Sequence, residues 1–119
     1  MESKMEENFE VLSSDEKFLS NVLRIIDERM NDGTFSIEAF SFEAGYSATQ
    51  FYRLIKRLTG QSPNAFLRTA RLKRASLMLE QKEDNVSQVA YAVGFSSLSY
   101  FNKCFKKEFG VTPGQFGSN

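Results

Sequence analysis

Gly94-Phe95-Ser96 repeats Gly45-Tyr46-Ser47 at an offset of 49. With one residue inserted, Phe51-Tyr52-Arg53 becomes Phe101-Asn102-Lys103 and Lys56-Arg57 becomes Lys106-Lys107, while Gly60 finds its partner in Gly110. A chain that carries one unit twice is expected to fold that unit twice. Before each glycine, apolar residues recur at helical spacing: Ile37, Phe40, Ser41 and Ala44 in the first copy, Val86, Val89, Ala90 and Val93 in the second. Ser36 and Asn85 stand where caps belong, and Gln88 has the capping-box spacing from Asn85. After the first glycine, Phe51, Leu54, Ile55 and Leu58 mark the core side of a helix over about Ala48–Thr59. The unit is therefore a helix, a glycine turn and a second helix. Gly45 and Gly94 are expected at positive φ where the chain turns sharply. The small residues Ser41 and Ala90 let the paired helices approach closely.

Between the copies, Ser62 caps, Pro63 suits a first helical position, and no Gly or further Pro interrupts the run to Glu80. At ~1.5 Å per residue this helix is about 27 Å long. Leu72, Ala75 and Leu79 cluster on one side of it, and Phe66, Ala70 and Leu77 lie roughly opposite, with Leu67 and Met78 on the flank. Two apolar faces predict a helix buried between two bodies. Arg71 and Arg74 lie beside Leu67 and Met78, so at least one is expected to be structural, bonded to backbone or to an acid. Upstream, Ser13 and Glu16 have capping-box spacing, which predicts a helix from about Asp15 to Asn31 with Phe18, Val22, Ile25, Ile26 and Met30 inward. Asn31-Asp32-Gly33 should stop it. Residues 1–12 are acidic without a clear apolar period and are expected to be a tail or linker. Thr112-Pro113 opens a short closing helix. The expected fold is all-α, within a domain spanning 13–119. Two helix-turn-helix subdomains, at about 36–60 and 85–110, are joined by a long linker helix at about 63–81.

The chain of 119 residues has no histidine and one cysteine. Histidine or cysteine metal sites, histidine general bases and Cys–His nucleophiles are thereby excluded, and no cofactor is expected. Cys104 cannot form an internal disulfide, which fits a reducing compartment, and it falls at a core position. No apolar run approaches ~20 residues, and no export signal opens the chain, so a cytoplasmic protein without membrane contact is expected. An enzyme is the least favoured reading. The net charge of zero conceals a segregation. Residues 1–43 hold eleven acids and four bases, a balance of −7, and residues 44–119 hold four acids and eleven bases, a balance of +7. Ala44 to Leu79 contains seven bases and no acid. Such a block predicts a surface for a polyanion.

A short helix, a glycine turn and a second helix with a polar, basic outer face form the helix-turn-helix pattern. Its second helix can lie in a DNA major groove, where the first two turns reach base edges. Consecutive major-groove faces on one side of B-DNA are about 34 Å apart, the scale set by the intervening helix and the units it joins. These features predict a monomeric reader of two adjacent groove segments in double-stranded DNA. The alternative is a helical protein–protein interaction module whose basic face binds an acidic partner.

Phe35–Phe116 resembles the C-terminal DNA-binding domain of the AraC/XylS family of bacterial transcription regulators. The resemblance is carried by Gly45-Tyr46-Ser47, Thr59-Gly60-Gln61-Ser62-Pro63, Arg68-Thr69-Ala70-Arg71-Leu72-Lys73-Arg74-Ala75, Val89–Ser96, Ser99–Lys107 and Phe109–Pro113. Ser14–Leu19 is similar to the lead-in of this domain in hybrid two-component regulators of Bacteroides-type bacteria. The resemblance implies base reading by Thr49, Gln50, Tyr52 and Arg53, then by Leu98, Ser99, Asn102 and Lys103. Arg53 is the strongest base reader, since a guanidinium can bond guanine O6 and N7 together. Tyr52 and Leu98 either touch thymine methyls or pack at the corner. Lys56, Arg57, Arg68, Lys106 and Lys107 are implied phosphate contacts. A sensor or effector domain of a longer parent protein is an implied partner, and RNA polymerase is a further one. Phe9 and Phe42 fit no core pattern. Phe116 is followed by Gly117-Ser118-Asn119, where the family places an arginine. Either the closing phosphate contact is absent or the natural end differs.

Overall fold

The computed structural model describes residues 2–82 and 84–117, with side chains from Ser13 onward. Among the described residues seven helices follow one another: α1 (Glu2–Glu28), α2 (Ile37–Ala44), α3 (Ala48–Thr59), α4 (Pro63–Gln81), α5 (Val86–Ala92), α6 (Leu98–Phe109) and α7 (Pro113–Gly117). The described residues contain no strand. The starts of α2 to α7 are each fixed by a side chain that accepts an otherwise orphaned backbone N–H, a contact worth about 1 kcal/mol. Ser36, Ser47, Ser62, Asn85 and Ser97 accept from the N–H three residues on, and Thr112 Oγ1 accepts from Gln115 N at 3.2 Å. Ser47–Gln50 and Asn85–Gln88 close reciprocal capping boxes.

Two aromatic-rich cores form. In the first, Phe18, Val22, Ile25 and Ile26 of α1 pack on Phe40 of α2, Phe51 and Ile55 of α3, and Leu67 of α4. In the second, Leu72, Ala75 and Leu79 of α4 pack on Val89 and Ala90 of α5, Val93 and Phe95 of the following turn, and Phe101 and Phe105 of α6. Ser41 and Ala90 are both buried, as their place at the helix–helix approach requires.

The duplication extends further than the sequence motif. Ser62-Pro63 and Phe66 recur 50 residues later as Thr112-Pro113 and Phe116. Phe66 packs against the first core and Phe116 against the second. The opening of α4 thus closes the first unit as α7 closes the second. The remainder of α4 does for the second unit what α1 does for the first. The helix is shared end to end.

Within α4 the expectation is corrected at Leu77. Phe66, Leu67 and Ala70 pack on the first core, and Leu72, Ala75 and Leu79, further along and on another side of the helix, pack on the second. Leu77, expected to be buried, is 54% exposed. The N-terminal expectation is corrected as well. The backbone is helical from Glu2, so Ser13 and Glu16 lie inside α1 and cap nothing. No Gly or Pro occurs before Gly33, and a chain of adequate helix formers without a breaker propagates an existing helix. The side chain of Phe9 lies outside the described ones. At the other end α1 stops at Glu28, one turn short of the Asn31-Asp32-Gly33 signal. The α4 C-cap is Lys82 at φ 57°, a left-handed residue that no sequence signal marks.

Candidate nucleic-acid interface

Each unit mounts its second helix by the same hydrogen bonds. Gly45 N donates to Phe42 O and Tyr46 N to Ser41 O; Gly94 N donates to Tyr91 O and Phe95 N to Ala90 O. The four bonds are 2.9–3.0 Å long, and Gly45 and Gly94 have φ of 87° and 92°. This turn directs the next helix across the first, leaving one flank against the core and the other outward. Ser47 and Ser97 then cap α3 and α6, which fixes the register of the two exposed faces at an offset of 50.

On α3, Thr49, Gln50, Tyr52 and Arg53 are all exposed. Thr49, Tyr52 and Arg53 line a shallow depression together with Ala48. Gln50 Oε1 accepts from Ser47 N at 3.4 Å, so the carbonyl end serves the cap and the amide N–H groups face outward. On α6, Ser99, Asn102 and Lys103 are exposed, whereas Leu98 is half-buried against the second core. Of the two roles open to Leu98, packing at the corner is the one the structure displays. Tyr52 remains half-exposed.

Arg68, Lys103 and Lys107 converge on a groove of about 390 Å³ between α4 and α6, which Gln61, Tyr100 and Cys104 also line. A second groove of about 400 Å³ lies on the other side of Arg68 and Tyr100 and is bordered by Asn64, Arg71, Gly94 and Ser96. The α3 residues are not part of either groove. Lys56 Nζ donates to Gly60 O at 3.1 Å, holding it at the C-terminus of α3. Arg57 Nη2 lies 3.4 Å from Asp15 Oδ1 of α1, so this expected phosphate contact is already in a weak surface pair. Among the described residues, Arg53, Arg68, Lys103, Lys106 and Lys107 enter no ion pair.

Tyr100 is a residue that the sequence reading missed. It aligns with Gln50 once Ser47 and Ser97 are set as equivalent caps, and it lines both grooves while its ring lies 6.0 Å from that of Phe95. The signal was available in the repeat, but the insertion had to be placed within the α5–α6 turn to use it. Arg71 and Arg74 are structural, as expected of at least one. Arg74 bonds the Asp27 carboxylate, and Arg71 bonds backbone carbonyls. Cys104 is a half-buried free thiol packed against the second core. Among the described residues, no cluster of His, Cys, Asp and Glu could hold a metal ion.

A chain with two such mounted helices and unpaired cations on both is a tandem helix-turn-helix protein. Residues 40–119 match a family model described as a helix-turn-helix domain. Histidine kinase P4 of Formosa agariphila is 42% identical over 106 residues, covering 89% of this chain and 8% of that relative. The chain therefore spans under a tenth of that protein's length. The C-terminal domain of the two-component response regulator yesN from Fusobacterium nucleatum superposes with a TM-score of 0.73 at 28% identity, over 81% of this chain and 93% of that one. The DNA-binding domain of the global transcriptional factor AdpA, solved with a target DNA, superposes with a TM-score of 0.77 at 28% identity, over 84% and 89%. The chain belongs to the AraC-type helix-turn-helix family.

Proposed function

We propose that this segment binds double-stranded DNA sequence-specifically, as the DNA-binding domain of a bacterial transcription regulator, with α3 and α6 in successive major-groove segments. The observation that carries the reading is the pair of identically mounted helices, each turning an exposed polar and basic face outward. Thr49, Gln50, Tyr52 and Arg53 on α3 read bases, and Ser99, Asn102 and Lys103 on α6 do the same, with Leu98 supporting the corner. Lys56, Arg57, Arg68, Lys106 and Lys107 neutralise phosphates. The parent protein is a cytoplasmic two-component regulator whose sensor domain lies elsewhere in its chain, RNA polymerase is a downstream partner, and this segment carries no reaction of its own.

The test is a mobility shift on sites selected by the protein from random duplexes. Arg53→Ala should cost about 1–3 kcal/mol on the best site and relax choice at one base pair. Lys56→Ala should weaken all sequences about equally. Uniform weakening by both would make Arg53 a phosphate contact. Failure to retain any duplex, with retention of an acidic protein instead, would favour the interaction-module reading.

A further inference from the structure

The loop after α1, the middle of α4 and the α5–α6 turn meet at one point, and Arg71 occupies it. Its guanidinium is buried; Nη1 donates to Gly94 O at 2.9 Å and Nη2 to Asp32 O at 2.9 Å. Asp32 belongs to the lead-in of the first unit. Gly94 belongs to the turn that mounts α6. One side chain of the shared helix therefore grips backbone from both units.

The surroundings leave this junction no slack. A Cβ on Gly33 would stand 2.9 Å from Gly94 O, so the two loops touch with no side chain between them. A Cβ on Gly94 would stand 2.5 Å from Met30 O and 2.7 Å from the Arg71 guanidinium. Arg71 Nε is buried without a hydrogen-bond partner among the described residues. A buried cation held by neutral carbonyls carries a desolvation cost that an apolar side chain would not, so filling space does not by itself account for an arginine here. What the guanidinium supplies is a rigid planar fork that fixes two acceptors relative to each other.

We infer that Arg71 is a positioning residue for DNA recognition: it locks the α5–α6 turn to the α1–α2 loop and so sets the half-site spacing that the protein accepts. The inference rests on the DNA reading. A displacement at Gly94 carries the start of α6 with it, because only Phe95 and Ser96 separate that glycine from the cap Ser97. One base pair of added spacing rotates the second half-site by about a tenth of a turn. A locked pair of helices cannot follow that rotation, whereas a loosened pair can.

The experiment compares wild type, Arg71→Met and Gly33→Ala on wild-type-selected duplexes, their isolated half-sites, and a series with one to five base pairs inserted between half-sites. Folding at the assay temperature is checked by circular dichroism. Gly33 is exposed and its backbone is not left-handed, so Gly33→Ala wedges the junction without emptying a core. It decides the question alone if Arg71→Met does not fold. Wild type should lose on the order of 100-fold on insertion of five base pairs, the scale on which joint binding exceeds single-unit binding. The variants should bind half-sites as wild type does, bind the best full site about tenfold more weakly, and tolerate one- or two-pair insertions better, at a set effective concentration of the second unit. A spacing profile unchanged in the folded variants, or equal weakening on half-sites and full sites, would overturn the inference alone. Absence of wild-type binding to every duplex would overturn the DNA reading beneath it.

Discussion

Gly45 and Gly94 end the same hydrogen-bonded turn but are constrained differently. Both occupy the left-handed region, yet a Cβ on Gly45 would meet nothing within 4 Å while one on Gly94 would strike Met30 O and Arg71. Gly45→Ala should cost only the conformational penalty, about 1–2 kcal/mol. Gly94→Ala adds a clash with backbone and should exceed about 3 kcal/mol, among the large single-site losses. Urea denaturation of both variants measures the contrast, and equal losses would mean that the Gly94 junction relaxes freely. Asp32 offers a titration test beside the same junction. Its carboxyl accepts from Thr34 Oγ1 at 2.6 Å and Thr34 N at 2.9 Å, and these bonds hold its pKa below the ordinary carboxylate value. With the folded pKa lowered, the contribution is complete above the unfolded value of about 4 and disappears as pH falls through the folded one. Thr34→Ala should therefore be less stable than wild type near neutrality and converge on it in acid. A gap that persists unchanged to low pH would show that the hydroxyl acts through packing.

Along α4 burial depends on position as well as on angle. Its first turns complete one unit and its later turns open the next, so burial at any residue depends on which neighbour lies alongside. Leu72→Ala or Leu79→Ala should cost about 2–5 kcal/mol, since both are buried in the second core. Leu77→Ala should stay within about 0.5 kcal/mol, because its side chain is mostly in water. Thermal melts distinguish the two outcomes, and a large Leu77 loss would mean that its side chain packs on the first core as its side of the helix suggests. Helix starts were legible in the sequence because capping is local: Ser36, Ser62, Asn85 and Thr112 announce themselves within three residues. The turn glycines were legible for the same reason. The exposure of Leu77 was not, because periodicity reports that a side is apolar without saying which body lies against it. The N-terminal run of α1 escaped notice because residues 1–12 show no clear apolar period, and helix continuation needs none.

At the scale of the whole molecule, the segregated charges partly meet. Arg74 pairs with Asp27 and Arg57 with Asp15, which ties the basic second half back to the acidic first helix over 47 and 42 residues. Arg71 is buried between the units. The sequence marks one of Arg71 and Arg74 as structural but names a partner for none of these residues, so the count of eleven bases in residues 44–119 overstates what is left for a polyanion. The site was legible as two outward helical faces and less so as a set of contacts: Leu98 was offered with packing as its second role, and Tyr100 was overlooked. If five phosphates are neutralised by Lys56, Arg57, Arg68, Lys106 and Lys107, log K should fall against log[salt] with a slope of roughly −4 to −5. Each phosphate contact removed lowers the slope by about 1, so Lys106→Ala with Lys107→Ala should bring it down by about 2. Asp15→Asn should leave binding as tight as wild type or slightly tighter at low salt, because it releases Arg57 from its one acidic partner among the described residues. At high salt that advantage should vanish as screening weakens both the pair and the phosphate contact. Mobility shifts at several salt concentrations read all three slopes. A wild-type slope near zero would remove the phosphate contacts altogether, and an Asp15→Asn loss of affinity would mean that the Arg57–Asp15 pair holds α3 in its reading position.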